Sequence, residues 1–143
     1  MAVRVTKYDP NSTFNLIAGE AIAEGDLCGV TSATTRKAYK ADGNATHGAA
    51  ATNKALGYAV KAAAAGDAVA LAPICELDGF SGLTPGDTCY LDVTAGGLTQ
   101  TKTSTNTETL QTVGVALSAT AVAGVVGVPQ KYQTAGNSTL TSL

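Results

Sequence analysis

Residues 86–91 read GDTCYL, residues 25–30 read GDLCGV and residues 66–71 read GDAVAL. In each, Gly-Asp precedes a short run in which apolar side chains alternate. Cys28 and Val30, Val69 and Leu71, and Cys89 and Leu91 each lie two apart. A strand has period two, so such pairs turn toward one core. Glycine tolerates the positive φ of a tight turn, and aspartate bonds its own local backbone. Gly-Asp therefore reads as the turn, and the short run after it as the strand that the turn feeds.

A second element recurs with the first. GYAV at 57–60 matches GVAL at 114–117. One copy of the layout runs Gly25-Asp26, a variable polar loop, Gly57, then Gly66. The other runs Gly86-Asp87, a polar loop, Gly114, then Gly124, where GVVGV replaces GDAVAL. A duplicated β-unit of roughly 60 residues accounts for both. Two such units can close into one barrel or sandwich and remove open edges. The expected class is all-β: a small barrel or sandwich of two similar units, with an extended N-terminal arm and a polar C-terminal tail. The boundaries are an arm at 1–18, one β domain at 19–128 with pseudo-repeats at about 19–77 and 78–128, and a tail at 129–143. The Ala-rich run 58–72 has helix propensity, but Gly66 and Asp67 divide it and neither half has helical spacing. Segment 44–56 leaves room for one short helix.

Composition narrows the function classes. Only 14% of the 143 residues are charged, against roughly 25% in ordinary soluble domains. A net charge of −2 gives no electrostatic footprint for nucleic acid. The apolar runs are too short and broken to span a membrane, and MAVRVTKYDP lacks the apolar core of a secretory signal. Three cysteines, Cys28, Cys75 and Cys89, with no CxxC spacing argue against a disulfide framework or a zinc site. Asn11, Asn44 and Asn137 match the glycan acceptor pattern, as chance allows in a Thr-rich chain.

Enzyme constellations are missing from the sequence. The single histidine, His47, lies in a Gly/Ala-rich polar loop, and the cysteines lie on apolar strands, where a thiol behaves as a small hydrophobe. GFSGL at 79–83 shares letters with a nucleophile elbow but sits among turn residues. The acids Glu20, Glu24, Asp26, Asp67, Glu76, Asp78 and Asp87 are spaced as turn formers and not as calcium ligands. GEAIAEGDLCGV also suits a biotinyl or lipoyl carrier domain, yet Met1 is the only methionine and Lys37 lacks the carrier motif. The expectation is no catalytic residue, no cofactor and no metal.

The ordered set Gly25, Asp26, Tyr39, Lys40, Asp42, Gly43, Gly57, Ala59, Gly66, Asp67 and Val69 resembles the capsid cement, or decoration, proteins of tailed phages. The match covers about 19–72, with 86–128 as a weaker second copy. The resemblance implies a non-enzymatic structural role in the virion: binding the outer surface of the head, bracing neighbouring coat subunits, and acting as a homotrimer. The implied partner is the major capsid protein, with no nucleic acid and no membrane. The implied location is the outer surface of the capsid, after synthesis in the host cytoplasm. In such proteins the N-terminal arm adds a strand to a coat-protein sheet, where main-chain hydrogen bonds supply affinity. Segment 2–8, AVRVTKY, has the alternation for that use. Val3, Arg4, Val5, Lys7 and Tyr8 are the expected capsid-binding residues. Two alternatives remain open at this point: a head-fibre or tail-associated virion module, and a small β-barrel carrier or hydrolase domain.

Overall fold

The computed structural model describes residues 2–31, 36–44, 52–105, 108–131 and 141–142. Among them there is no helix, and the strands are β1 (Arg4–Tyr8), β2 (Phe14–Ala18), β3 (Leu27–Gly29), β4 (Lys37–Lys40), β5 (Gly57–Ala59), β6 (Ala68–Ala72), β7 (Ile74–Asp78), β8 (Thr88–Leu91), β9 (Leu98–Thr99), β10 (Thr109–Leu110), β11 (Thr112–Ala116), β12 (Val122–Val125), β13 (Gln130–Lys131) and β14 (Thr141–Ser142). The all-β class is thus observed. The short helix allowed over 44–56 is absent from 52–56, and residues 45–51, with His47, lie outside the described residues.

The three Gly-Asp pairs do one job. The Gly25 N–H donates to the Ala59 carbonyl at 2.8 Å, and the Ala59 N–H donates back to the Asp26 carbonyl at 2.9 Å. Gly86 and Asp87 make the same pair of bonds with Ala116 at 2.8 and 3.1 Å, and Gly66 and Asp67 with Ala18 at 2.7 and 2.8 Å. In each, the Asp N–H also reaches the carbonyl three residues back, on Ala23, Thr84 or Ala64. Gly25 and Gly86 both have φ near +85°, a value that L side chains avoid. Each turn thereby fixes where one strand starts against the end of its neighbour.

The duplication is visible in the strand order. β2, β4, β3, β5 and β6 form a closed barrel, ordered β4-β3-β5-β6-β2 and sealed by a parallel pair between β2 and β4. The six-stranded sheet reads β9-β8-β11-β12-β7-β1. Its first five strands repeat the barrel order, with β9, β8, β11, β12 and β7 in place of β4, β3, β5, β6 and β2. The register repeats too: Cys28 faces Gly57, and Cys89 faces Gly114. In the second unit β7 does not meet β9; it pairs with β1 instead. One correspondence expected from spacing fails. Gly66 lies in the turn before β6, whereas Gly124 lies within β12 opposite Gly114, so the two are not equivalent.

Two cores share a wall. Inside the barrel are Leu16, Ala18, Ile22, Cys28, Ala38, Ala59, Val69 and Leu71. Five strands enclose little space, which suits its many Ala and Cys side chains. Alternation sends Leu27, Tyr58 and Ala72 the other way, into a second core with Leu77, Cys89, Leu91, Val113 and Val122. β3 and β5 are consequently buried on both faces. Val30 departs from the expectation: β3 ends at Gly29, and Val30 is exposed.

The expected arm at 1–18 is extended and paired, and of the expected tail at 129–143 residues 132–140 and 143 lie outside the described residues. β1 pairs with β7 and β2 is a stave of the barrel, so residues 4–18 belong to the fold. Their alternation seats them on the sheet because Val3 and Val5 find apolar partners there. The start of the tail is held by β13, which pairs with β10 and β14.

Close approach sets the equivalent glycines of the two units, Gly57 on the shared wall and Gly114 on β11. A Cβ on Gly57 would stand 2.8 Å from the Ala72 carbonyl carbon, and one on Gly114 would stand 2.5 Å from the Ala123 oxygen. Backbone cannot yield as a flexible side chain would. Gly57→Ala and Gly114→Ala should each destabilise by about 1–3 kcal/mol, read as a lower denaturant midpoint in urea melts. Wild-type midpoints for both variants would refute the packing account.

Candidate functional site

The residues expected to bind a partner lie on β1, at the margin of the six-stranded sheet. β1 runs antiparallel to β7, with Arg4 opposite Asp78 and Val5 opposite Leu77. A bulge comes next, after which Lys7 faces Glu76 and Tyr8 faces Cys75. Val3 packs on Gly25 beside Leu77. Val5 is partly buried against the second core. Both valines, expected among the capsid-binding residues, are thus partly buried against the protein's own core. Arg4, Lys7 and Tyr8 are exposed.

The free edge of β1 is partly closed. The Val5 N–H donates to Oε2 of Glu24 at 2.8 Å on that edge, while at the bulge the Thr6 hydroxyl turns back to β7 and donates to the Glu76 carbonyl at 3.1 Å. A carboxylate on an edge N–H leaves one fewer main-chain donor for a foreign strand, a common defence of sheet edges. Sequence reading does not find Glu24, because its partner is 19 positions away and no local pattern points to it. The chain leaves β1 through a turn at 9–12, where the Ser12 N–H donates to the Asp9 carbonyl at 3.0 Å and the Asn11 N–H to Asp9 Oδ1 at 2.9 Å. Asp at the first position and Pro at the second are the residues such a turn prefers.

Between this turn and the outer face of the sheet lies an open groove of about 980 Å³, whose lining includes Lys7, Tyr8, Pro10, Ile74, Glu76 and Ala123. The face beyond it sets exposed apolar side chains beside one Lys–Glu pair. Ile74 is 67% exposed and lies opposite Val125, itself 52% exposed. The next row carries Lys7, Glu76, Ala123, Val115 and Thr88 in register. Contiguous exposed apolar surface of this kind marks contact with something else more often than scattered residues do. The signal is present in ICELD at 74–78: period two places Ile74 with Glu76 and Asp78, away from Cys75 and Leu77.

The thiols offer no reactive group there, although Cys75 is among the residues lining the groove. Cys28, Cys75 and Cys89 are all buried and unbridged. Burial pushes the Cys28 thiol far up, with Asp26 and Glu20 nearby adding to the rise. Burial alone lifts Cys75 to about 12, and burial is the main cause raising Cys89. A thiol held protonated is a poor nucleophile and a poor metal ligand. Asp26, half-buried in its turn, is also raised, chiefly by desolvation, with the Ala23 N–H bond and Lys40 pulling the other way. Among the described residues no group of three or more His, Cys, Asp or Glu side chains could hold a metal ion, and no helix is long and apolar enough to cross a membrane. The site offers surface: a groove, an apolar face and a partly guarded edge. The chain matches no protein-family model and no curated protein.

Three experiments test this geometry. In native protein the three thiols should resist a thiol reagent for hours, and Cys28→Ser should cost about 1–3 kcal/mol for burying a hydroxyl in place of a thiol in an apolar core. Rapid modification of Cys28 or Cys89 would contradict their burial. Deleting residues 2–9 should cost about 2–4 kcal/mol through lost apolar burial and should make Cys75 reactive, since β1 lies along its strand. An unchanged melting curve would show that β1 contributes nothing to the fold.

Proposed function

We propose that this chain is a capsid decoration protein: a structural virion component that binds the outer surface of a phage head through the major capsid protein and braces neighbouring coat subunits. It acts as a homotrimer, without catalysis or cofactor. The observation that carries this reading is where the resembling residues fall. Gly25, Asp26, Gly66 and Asp67 are two of the clamped turns, Gly57 and Ala59 lie on the shared wall, and Val69 fills the barrel. Tyr39 is buried on β4, and Gly43 is buried where its N–H donates to the Asp92 carbonyl at 2.7 Å. The ordered motif is thus one building plan, which makes it a stronger resemblance than scattered letters would be. The apolar sheet face supports a binding role, because a protein coating a surface needs area more than it needs chemistry.

With Val3 and Val5 engaged internally, Arg4, Lys7 and Tyr8 are the β1 side chains left for the coat. Their neighbours Ile74 and Val125 extend the same surface. The protein should therefore dock as a folded body and not through a free arm.

The test is decoration itself. Purified heads that lack the protein should bind it to saturation, with hundreds of copies per head counted against the coat protein by mass spectrometry. Arg4→Gln combined with Lys7→Gln, which removes both charges without setting like charges opposite Asp78 and Glu76, should change stability by less than about 0.5 kcal/mol, as exposed substitutions do, while weakening decoration. A copy number fitting only a tail or a fibre would sink the capsid reading and favour a tail-associated or head-fibre module. Full decoration by the double variant would remove β1 from the docking surface.

A further inference from the structure

The chain contains two Asp-Gly dipeptides, Asp42–Gly43 and Asp78–Gly79. In this pairing the glycine nitrogen is unshielded by any side chain and can attack the preceding carboxyl group. The structure separates the two. The Gly43 N–H is committed elsewhere, donating to the Asp92 carbonyl at 2.7 Å. The Gly79 N–H donates to Oδ1 of Asp78 itself at 2.8 Å. Its nitrogen rests beside the group it would attack, and such proximity removes much of the barrier to a ring closure. Both residues are partly exposed, so water can reach them. The same local contact occurs at Asp92–Val93, at 2.7 Å, but there a β-branched side chain crowds the nitrogen.

We propose that Asp78–Gly79 is a self-modification site, at which aspartate slowly rearranges to isoaspartate and unseats the N-terminal strand. The Gly79 nitrogen bonds to Cγ of the protonated Asp78 carboxyl. The amide proton and the carboxyl hydroxyl leave together as water, giving a cyclic imide. Water then adds back to one of its two carbonyl carbons. Opening at Cγ restores aspartate; opening at the main-chain carbon routes the backbone through the side chain. No oxidant or reductant takes part, and the final mass is unchanged.

The effect on the fold comes from the neighbours of this segment. Asp78 is the register partner of Arg4. Gly79 has φ +100°, and a Cβ on it would collide with the Ala2 carbonyl and stand 2.9 Å from Val3 Cα. An extra methylene in the backbone has no room there unless residues 2–4 move away, so β1 loses its first anchors.

The experiment ages the intact protein in mildly acidic heavy-oxygen water and maps its peptides by mass spectrometry. Isoaspartate carrying heavy oxygen should accumulate at position 78 several-fold faster than at position 42, and Asp78→Glu should abolish it there. Aged wild-type protein should become cleavable by trypsin after Arg4 and Lys7, while fresh protein and aged Asp78→Glu stay protected. Equal rates at the two dipeptides, or an unmodified Asp78 in aged protein, would overturn the site. Accumulation with Arg4 and Lys7 still protected would overturn its effect on β1.

Discussion

The two-way bond between a Gly-Asp turn and an alanine on the neighbouring strand is the contact on which the rest of the architecture depends. Each bond contributes only about 0.5–1.5 kcal/mol net, yet the pair fixes register, and a slip by one residue would turn every side chain to the wrong face. The pair formed with Ala59 starts β3 so that Leu27 faces the second core and Cys28 faces the barrel. The pair formed with Ala116 sets Cys89 in the corresponding place. The partner is alanine each time, on a strand end packed close to the turn, where a larger side chain would add volume to a crowded core.

Register fixed in this way produces a wall with water excluded from both sides. Leu27 and Tyr58 leave the barrel and fill the second core, each burial worth about 1.5–3 kcal/mol. The Tyr58 hydroxyl donates to the Val113 carbonyl, so the largest side chain on the wall bonds directly to the other unit. Gln111 does the same from the opposite direction, exchanging bonds with the Ala55 N–H and carbonyl at 2.9 and 2.8 Å. The second core includes side chains from both units, so the second unit, unlike the barrel, has no complete interior of its own. A narrow barrel and backbone-to-backbone contact at glycine also explain the Ala- and Gly-rich composition without recourse to disorder or helix.

How much of this can be read from the letters depends on distance along the chain. The turns, the alternation of Cys28, Val69, Cys89 and Leu91 into cores, and the correspondence of Gly57 with Gly114 are local patterns, and they are legible. Matching Gly66 to Gly124 misreads the chain because spacing alone cannot tell a turn glycine from one inside a strand. Residues 1–18 look unpacked in sequence for a related reason. The partners of Val3 are Gly25 and Leu77, and that of β1 is β7, far off in sequence and carrying no repeat signal. The exposed face is half legible: ICELD carries the alternation, but only the placement of β12 sets Val125 beside Ile74.

The second unit shows what the duplication left unfinished. In the first unit β2 and β4 meet and close the ring. In the second the counterpart strands do not pair, and the Gly25 turn forms a wedge between β1 and the segment before β9: the Leu27 N–H donates to the Gly96 carbonyl at 2.9 Å, while Glu24 takes the Val5 N–H. A strand next to that wedge has no sister strand to pair with, and β1, which belongs to neither repeat, occupies the position. β1 therefore faces two demands that no repeated strand faces. It must protect the edge of β7, which explains the inward valines and the Glu24 bond, and it must present its other side to the outside, which explains Arg4, Lys7 and Tyr8. A segment under both demands is the one whose sequence pattern least resembles either a core strand or a free arm.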